Sequence, residues 1–282
     1  METKTIQANG LEFAYYEQGQ GDKLVMCLHG FPDSADTWLD LMPRLANAGF
    51  RVIAPFMRGY PPTQIPLDGQ YSVKHLAEDI IGLVDAFGAD TAILIGHDWG
   101  AFAAYAATAL ASGRITKLIT LAVPHPRAQK NDLKTVLKAS HFILFQFKGM
   151  AVNWMKRDNY AAISTLFKRW SPKWQFTEAD IEPVRTSLSQ AGGVEASLGY
   201  YWSFIKNRNN KELQRLIQRK TEVPTLTIIG ELDSTLNHDA FSRTKEAFTG
   251  PYQQVLLPEN GHFLHREAPD KFAELVLNFL RS

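Results

Sequence analysis

Apolar positions along the first part of the chain keep two periods in turn, one of strands and one of helices. "KTIQANG" and "LEFAYYEQG" read as a hairpin pair with Asn9-Gly10 at the turn, and "KLVMCLHG" is a continuous apolar run of the kind a buried strand needs. A helix is expected from about Asp36 to Ala48, closing at Gly49, after which "RVIAP" returns to strand. Leu76, Ile80, Leu83, Val84 and Phe87 recur at helical spacing and stop at Gly88. Then come a strand "TAILIG", a small-residue helix "AFAAYAATALA" able to lie close against a sheet, and a strand "ITKLITLAVP". Alternation of this kind predicts a mostly parallel sheet covered by helices on both faces.

From about residue 125 the pattern changes. The stretch to residue 221 is rich in aromatic and basic side chains ("HFILFQFKGMAVNWMKRDNY", "FKRWSPKWQF", "YYWSFIKNRNNKELQRLIQRK") and contains no convincing buried strand. Strand and helix alternate again in "VPTLTIIGELD", a helix near His238 to Phe248, "YQQVLLP" and an amphipathic helix from Pro269. The expectation is therefore an α/β core built from residues 1–124 and 222–282, with 125–221 inserted as a helical lid of subdomain size.

Bulk properties narrow the partners. A net charge of +1 over 282 residues gives no electrostatic footprint for nucleic acid. The lone cysteine, Cys27, sits inside an apolar run and reads as a small core residue, with no cysteine cluster for metal. The start, "METKTIQANG", has no apolar signal core, and no apolar stretch approaches the roughly 18 residues of a membrane span. A cytoplasmic, membrane-free protein, monomeric or homodimeric, is expected.

Candidate chemistry gathers at one edge of the expected sheet. In "ILIGHDWGAF" a strand runs into a turn flanked by Gly96 and Gly100, with Asp98 at its tip beyond the carboxyl end of the sheet. A nucleophile fits this position; so does a simple cap of the following helix. Asp233 follows the strand "TLTIIGEL" and His262 lies in "PENGHFLH" after "YQQVLL", the chain order nucleophile, acid, histidine. Each also has a plain alternative, a helix cap for Asp233 and a solvated loop residue for His262. His265 is three residues on, but a metal site would need further ligands, and none is evident in the sequence. The loop "LHGFPDS" offers the backbone N–H of Phe31, which with that of Trp99 would form an oxyanion hole; His29 there reads as structural.

"HGFP", "RGYPPT", "GHDWG", "GELD" and "NGHF", in that order, resemble the α/β-hydrolase-fold epoxide hydrolases over nearly the whole chain. The resemblance implies that fold, no metal or organic cofactor, a small apolar epoxide and water as substrates, and an alkyl ester on Asp98 hydrolysed with His262 and Asp233. Such enzymes supply two lid tyrosines to the leaving oxygen. Tyr201 matches the second, with Tyr200 as the register alternative; at the first, counted back from Phe145-Gln146, stands His141, which resembles a bacterial branch with a His/Tyr pair. His141 as a satisfied histidine on an apolar helix, and Tyr201 as a core aromatic, are the competing readings. Phe31, Trp99 and Tyr200 are expected to line the substrate, and Phe142, Phe145 and Phe147 to serve either an apolar substrate or the lid's own core. Haloalkane dehalogenases are similar in carrying the same Asp-Trp turn and remain an alternative, and a ligand-binding protein that has lost turnover is a third.

Overall fold

In the computed structural model, residues 1–129, 140–235 and 237–282 are described; Leu236 and residues 130–139, the latter within the expected lid, lie outside them. Among the described residues eight strands form one sheet in the order β1-β2-β4-β3-β5-β6-β7-β8. The strands are β1 Lys4–Ala8, β2 Leu11–Gln18, β3 Lys23–Leu28, β4 Phe50–Pro55, β5 Ala92–His97, β6 Ile115–Leu121, β7 Thr225–Gly230 and β8 Tyr252–Leu257. β1 and β2 pair antiparallel, as do β2 and β4; every other pairing is parallel. The hairpin turns on Asn9 and Gly10, both at positive φ, as the mirror-image turn favoured between twisted strands requires. β5 and β7 are buried along their whole length; β5 is accordingly an apolar run up to its last residue, whereas β7 buries Thr225 and Thr227 with their hydroxyls hydrogen-bonded to the Val223 carbonyl and the Thr120 hydroxyl.

Helices α1 Leu41–Asn47, α2 Val73–Ala86 and α3 Trp99–Leu110 connect the first strands. The single helix expected from Asp36 to Ala48 is instead a short 3-10 turn, Ala35–Trp38, followed by α1. Pro43 accounts for the break: deep inside a helix it would remove a backbone donor, whereas in the first turn that donor has no helical acceptor to lose. α3 is almost entirely small residues on its buried side, and it packs directly against the sheet at β5.

Between β6 and β7 the described residues form α4 Ser140–Gln146, α5 Lys148–Tyr160, α6 Ala162–Trp170, α7 Glu178–Ser189, α8 Gly193–Lys206 and α9 Lys211–Ile217. After β7 come α10 His238–Thr244, α11 Leu264–Glu267 and α12 Pro269–Arg281. The inserted helices are tied to the core at the "RGYPPT" loop. Tyr200 of α8 donates to the Arg58 carbonyl at 2.7 Å and Ser187 of α7 to that of Pro61 at 2.5 Å. Arg58 is itself fixed by a buried two-pronged ion pair with Asp79 of α2, both contacts at 2.6 Å. That pairing gives the inserted helices a rigid footing beside the carboxyl ends of the strands.

Candidate active site

The turn after β5 forces Asp98 into a backbone conformation that L-residues avoid, φ 51° and ψ −118°. Strain of this kind costs about 1–3 kcal/mol and survives only where close packing fixes the chain. The packing here is backbone on backbone: a Cβ on Gly100 would stand 2.2 Å from the Leu28 carbonyl oxygen. Although Asp98 occupies the position preceding α3, its side chain makes no capping bond to that helix, so the plain capping role does not describe it. Instead Oδ1 accepts the Phe31 N–H at 2.8 Å, with the Trp99 N–H also favouring the ionised carboxylate. Gly30 permits this approach, since a Cβ there would lie 2.4 Å from Oδ1. Burial pushes the Asp98 pKa up, opposed by the His262 imidazole and by those two N–H groups.

Oδ2 of Asp98 faces His262 Nε2 at 3.7 Å. On the far side of the ring, Nδ1 lies 2.7 Å from Asp233 Oδ2. A carboxylate there can only accept, so Nδ1 carries a proton and Nε2 is the ring nitrogen that faces Asp98. Asp233 is held in turn, its Oδ1 accepting the Thr235 N–H at 2.8 Å and the Thr235 hydroxyl at 2.7 Å. Burial alone would lower the His262 pKa, but the carboxylates of Asp233 and Asp98 raise it above its ordinary 6.5.

Tyr201 approaches from the inserted helices. Its ring stands edge-on to Phe31, Trp99, Phe142 and Phe145 at centroid distances of 5.3, 5.1, 4.8 and 4.8 Å. Its hydroxyl lies close to the Trp99 indole N–H but short of hydrogen-bond geometry, and both groups are buried. Burial, then the Asp98 charge, push the hydroxyl pKa well above the ordinary tyrosine range. His141 is also buried, 5.8 Å from the Tyr201 ring and 5.0 Å from that of Trp170, which in turn stands 5.2 Å from His262. Burial, then His262 and Arg169, push its pKa down to about 3, so the imidazole is neutral and offers one N–H. Tyr200 is different: its hydroxyl donates to the Arg58 carbonyl, and its ring meets that of Trp99. Phe147, grouped with Phe142 and Phe145 in the sequence, is 55% exposed and faces outward.

The reading of His29 as structural agrees with its contacts. His29 is committed to the backbone on both ring nitrogens, accepting the Met57 N–H at 3.0 Å and donating to the Gly30 carbonyl at 3.0 Å. The absence of partners for His265 is corrected by the fold: Asp33 and His97, far away in sequence, present ligand atoms within 4.8 Å of it and of each other. Asp33 Oδ2, His97 Nδ1 and His265 Nδ1 have no hydrogen-bond partner, while the other ring nitrogens are bonded. His265 Nε2 meets the Thr37 hydroxyl at 2.6 Å, His97 donates from Nε2 to the His262 carbonyl at 3.0 Å, and Asp33 has the Arg266 guanidinium 3.7 Å away. A fixed cation beside the only carboxylate disfavours a metal dication, and the arrangement behaves as a buried polar network behind the base. Burial pushes Asp33 up to about 6 and holds His97 and His265 well below the ordinary histidine range, so both imidazoles are neutral.

A family model described as alpha/beta hydrolase fold matches residues 23–269. Epoxide hydrolase A of Mycobacterium tuberculosis is 29% identical across 98% of this chain and 96% of its own length. Epoxide hydrolase 4 of Homo sapiens is 28% identical across 98% of this chain and 77% of its own. The crystal structure of epoxide hydrolase A from Mycobacterium thermoresistibile superposes with a TM-score of 0.89 at 26% identity, covering all of this chain and 98% of that one. A strained aspartate turn on β5, an aspartate after β7 and a histidine after β8, all inside the matched span, accord with that match: the chain belongs to the alpha/beta hydrolase fold family.

Proposed function

We propose that this protein hydrolyses an epoxide to a vicinal diol through an ester on Asp98, in a site covered by the inserted helices. The observation that carries the reading is the division of labour on one carboxylate: Oδ1 accepts the Phe31 N–H while Oδ2 lies across from His262 Nε2. Oδ2 attacks a ring carbon. The ring C–O bond breaks, and its electron pair remains on the oxygen, which takes a proton from Tyr201 while the neutral His141 donates a hydrogen bond. In the second step His262 removes a proton from water, and the hydroxide attacks Cγ of Asp98. The negative charge that develops on Oδ1 falls on the N–H groups of Phe31 and Trp99. Collapse expels Oδ2 as the alkoxide of the diol, which takes the proton from His262, and the proton of the new Asp98 carboxylic acid returns to the Tyr201 phenolate; the sum is epoxide plus water giving diol, with no metal or organic cofactor. Phe31, Trp99, Phe142 and Phe145 provide an apolar wall that suits a small apolar epoxide. Relatives named as epoxide hydrolases support the choice of leaving group. A halide, by contrast, needs only N–H donors and has no use for the hydroxyl of Tyr201 at this position.

The electrostatics favour this order of steps. In the free site the Asp98 charge helps to hold the His262 pKa up. Alkylation removes that charge, so the His262 pKa falls and the imidazole becomes a free base when water must be activated. A single-turnover pH series should show the ester-hydrolysis rate rising with pH along one ionisation whose midpoint lies below the His262 pKa measured by NMR in the free protein; a midpoint at or above that value contradicts the coupling.

His262→Gln should trap the ester. Intact mass then rises by the whole mass of the epoxide, because ring opening loses no fragment, whereas no adduct, or an adduct lighter by a lost halide when a haloalkane is offered as the only productive substrate, counts against the reading. Tyr201→Phe is expected to slow ester formation roughly hundredfold or more, and His141→Phe to slow it by a smaller factor. Unchanged ester formation in both would return the two side chains to a purely packing role.

A further inference from the structure

The loop that carries His262 is held from two directions, and the hand-over falls at one residue. Up to Asn260 the core holds it: the Leu232 N–H donates to the Asn260 carbonyl at 2.8 Å. The next three backbone N–H groups go elsewhere. Gly261 donates to Glu267 Oε2 at 2.8 Å, His262 to the carbonyl of Trp170 at 3.1 Å, and Phe263 to Ser171 Oγ at 3.1 Å. Ser171 completes the circuit by donating its own hydroxyl to Glu267 Oε1 at 2.7 Å. Trp170 and Ser171 form the carboxyl end of α6, among the inserted helices, whereas Glu267 closes α11 in the core. The fit is tight enough that a Cβ on Gly261 would stand 2.4 Å from Ser171 Cα. Aromatic packing seals the seam, with Phe263 4.5 Å from Phe167 and 5.5 Å from Trp174.

We infer that Ser171 and Glu267 are positioning residues for the second chemical step, joining the end of α6 to the loop so that His262 is aimed at the ester only while the inserted helices are seated. The inference rests on His262 acting as the base. Both carboxylate oxygens of Glu267 accept, one from Ser171 and one from Gly261, and the Ser171 hydroxyl both accepts and donates, so neither side chain has a polar atom left unpartnered. Loss of either frees a segment of backbone that carries the base, and a displacement of about 1 Å in a reacting group costs on the order of a hundredfold in rate. The first step uses the Asp98 carboxylate, which is held by the turn after β5 and by the Phe31 N–H rather than by this loop. The effect therefore falls on one step alone.

Glu267→Gln keeps the shape but gives up one acceptor oxygen; Ser171→Ala removes the relay. With a chromogenic styrene oxide as probe, single-turnover traces of each variant should show ester hydrolysis slowed about tenfold or more, while ester formation in the same sample stays within about twofold. Intact mass should show the Asp98 adduct accumulating. Ester formation serves as the internal control for folding. If the two steps slow in parallel, or if neither changes, the positioning role is overturned. His262→Gln separates the possible failures: an adduct in that variant with none in Glu267→Gln and Ser171→Ala sinks only this inference, whereas no adduct in any of the three sinks the reading of His262 on which it rests.

Discussion

In water the two oxygens of an aspartate are equivalent; at Asp98 the fold makes them different. One lies against the Phe31 N–H at 2.8 Å and the other looks across 3.7 Å to Nε2 of His262. That asymmetry depends on a single strained turn. Positive φ at a residue with a side chain is unfavourable, and it is kept here because Gly96, Gly100 and Gly30 let backbone and carboxylate approach to distances that any Cβ would prevent. The turn in turn requires a strand buried on both faces and a helix of small residues close behind it, which β5 and α3 supply.

Around this carboxylate the structure lowers the local dielectric instead of adding charge. Phe31 and Trp99, whose N–H groups meet it, pack with Phe142 and Phe145 around the Tyr201 ring, and the imidazoles of His141, His97 and His265 are held neutral by burial. His262 is the exception, raised by two carboxylates that face it from opposite sides. An apolar surround strengthens each remaining electrostatic interaction, so the few polar groups left in the site dominate its chemistry.

Much of this was legible in the sequence because each element announces itself locally. An unbroken apolar run marked β3, Asn9-Gly10 marked the hairpin, and the positions of Asp98, Asp233 and His262 after β5, β7 and β8 put them at one edge of the sheet. What was hidden depends on relations no local pattern carries. Whether Tyr200 or Tyr201 faces the site is a rotation of about 100° on α8, decided by the distant carbonyl of Arg58. The companions of His265 come from the loop after β3 and the end of β5. Phe147 shares its composition with Phe145, yet lies on the opposite side of the chain from the core, and the helix around Pro43 breaks because that proline tolerates only a first-turn position. Neither Ser171 nor Glu267 stands out by type; their importance lies in the backbone groups they meet.

A single turnover in water enriched in heavy oxygen, with enzyme in excess, tests the central claim most directly. Attack by Oδ2 followed by hydrolysis at Cγ sends an original Asp98 oxygen into the diol and leaves the solvent oxygen on the enzyme. Peptide mass spectrometry should therefore find one heavy oxygen in the peptide containing Asp98 and none in the diol from that first turnover. Label in the diol with an unlabelled Asp98 would mean that water attacks the epoxide directly, and the divided carboxylate would not be the nucleophile.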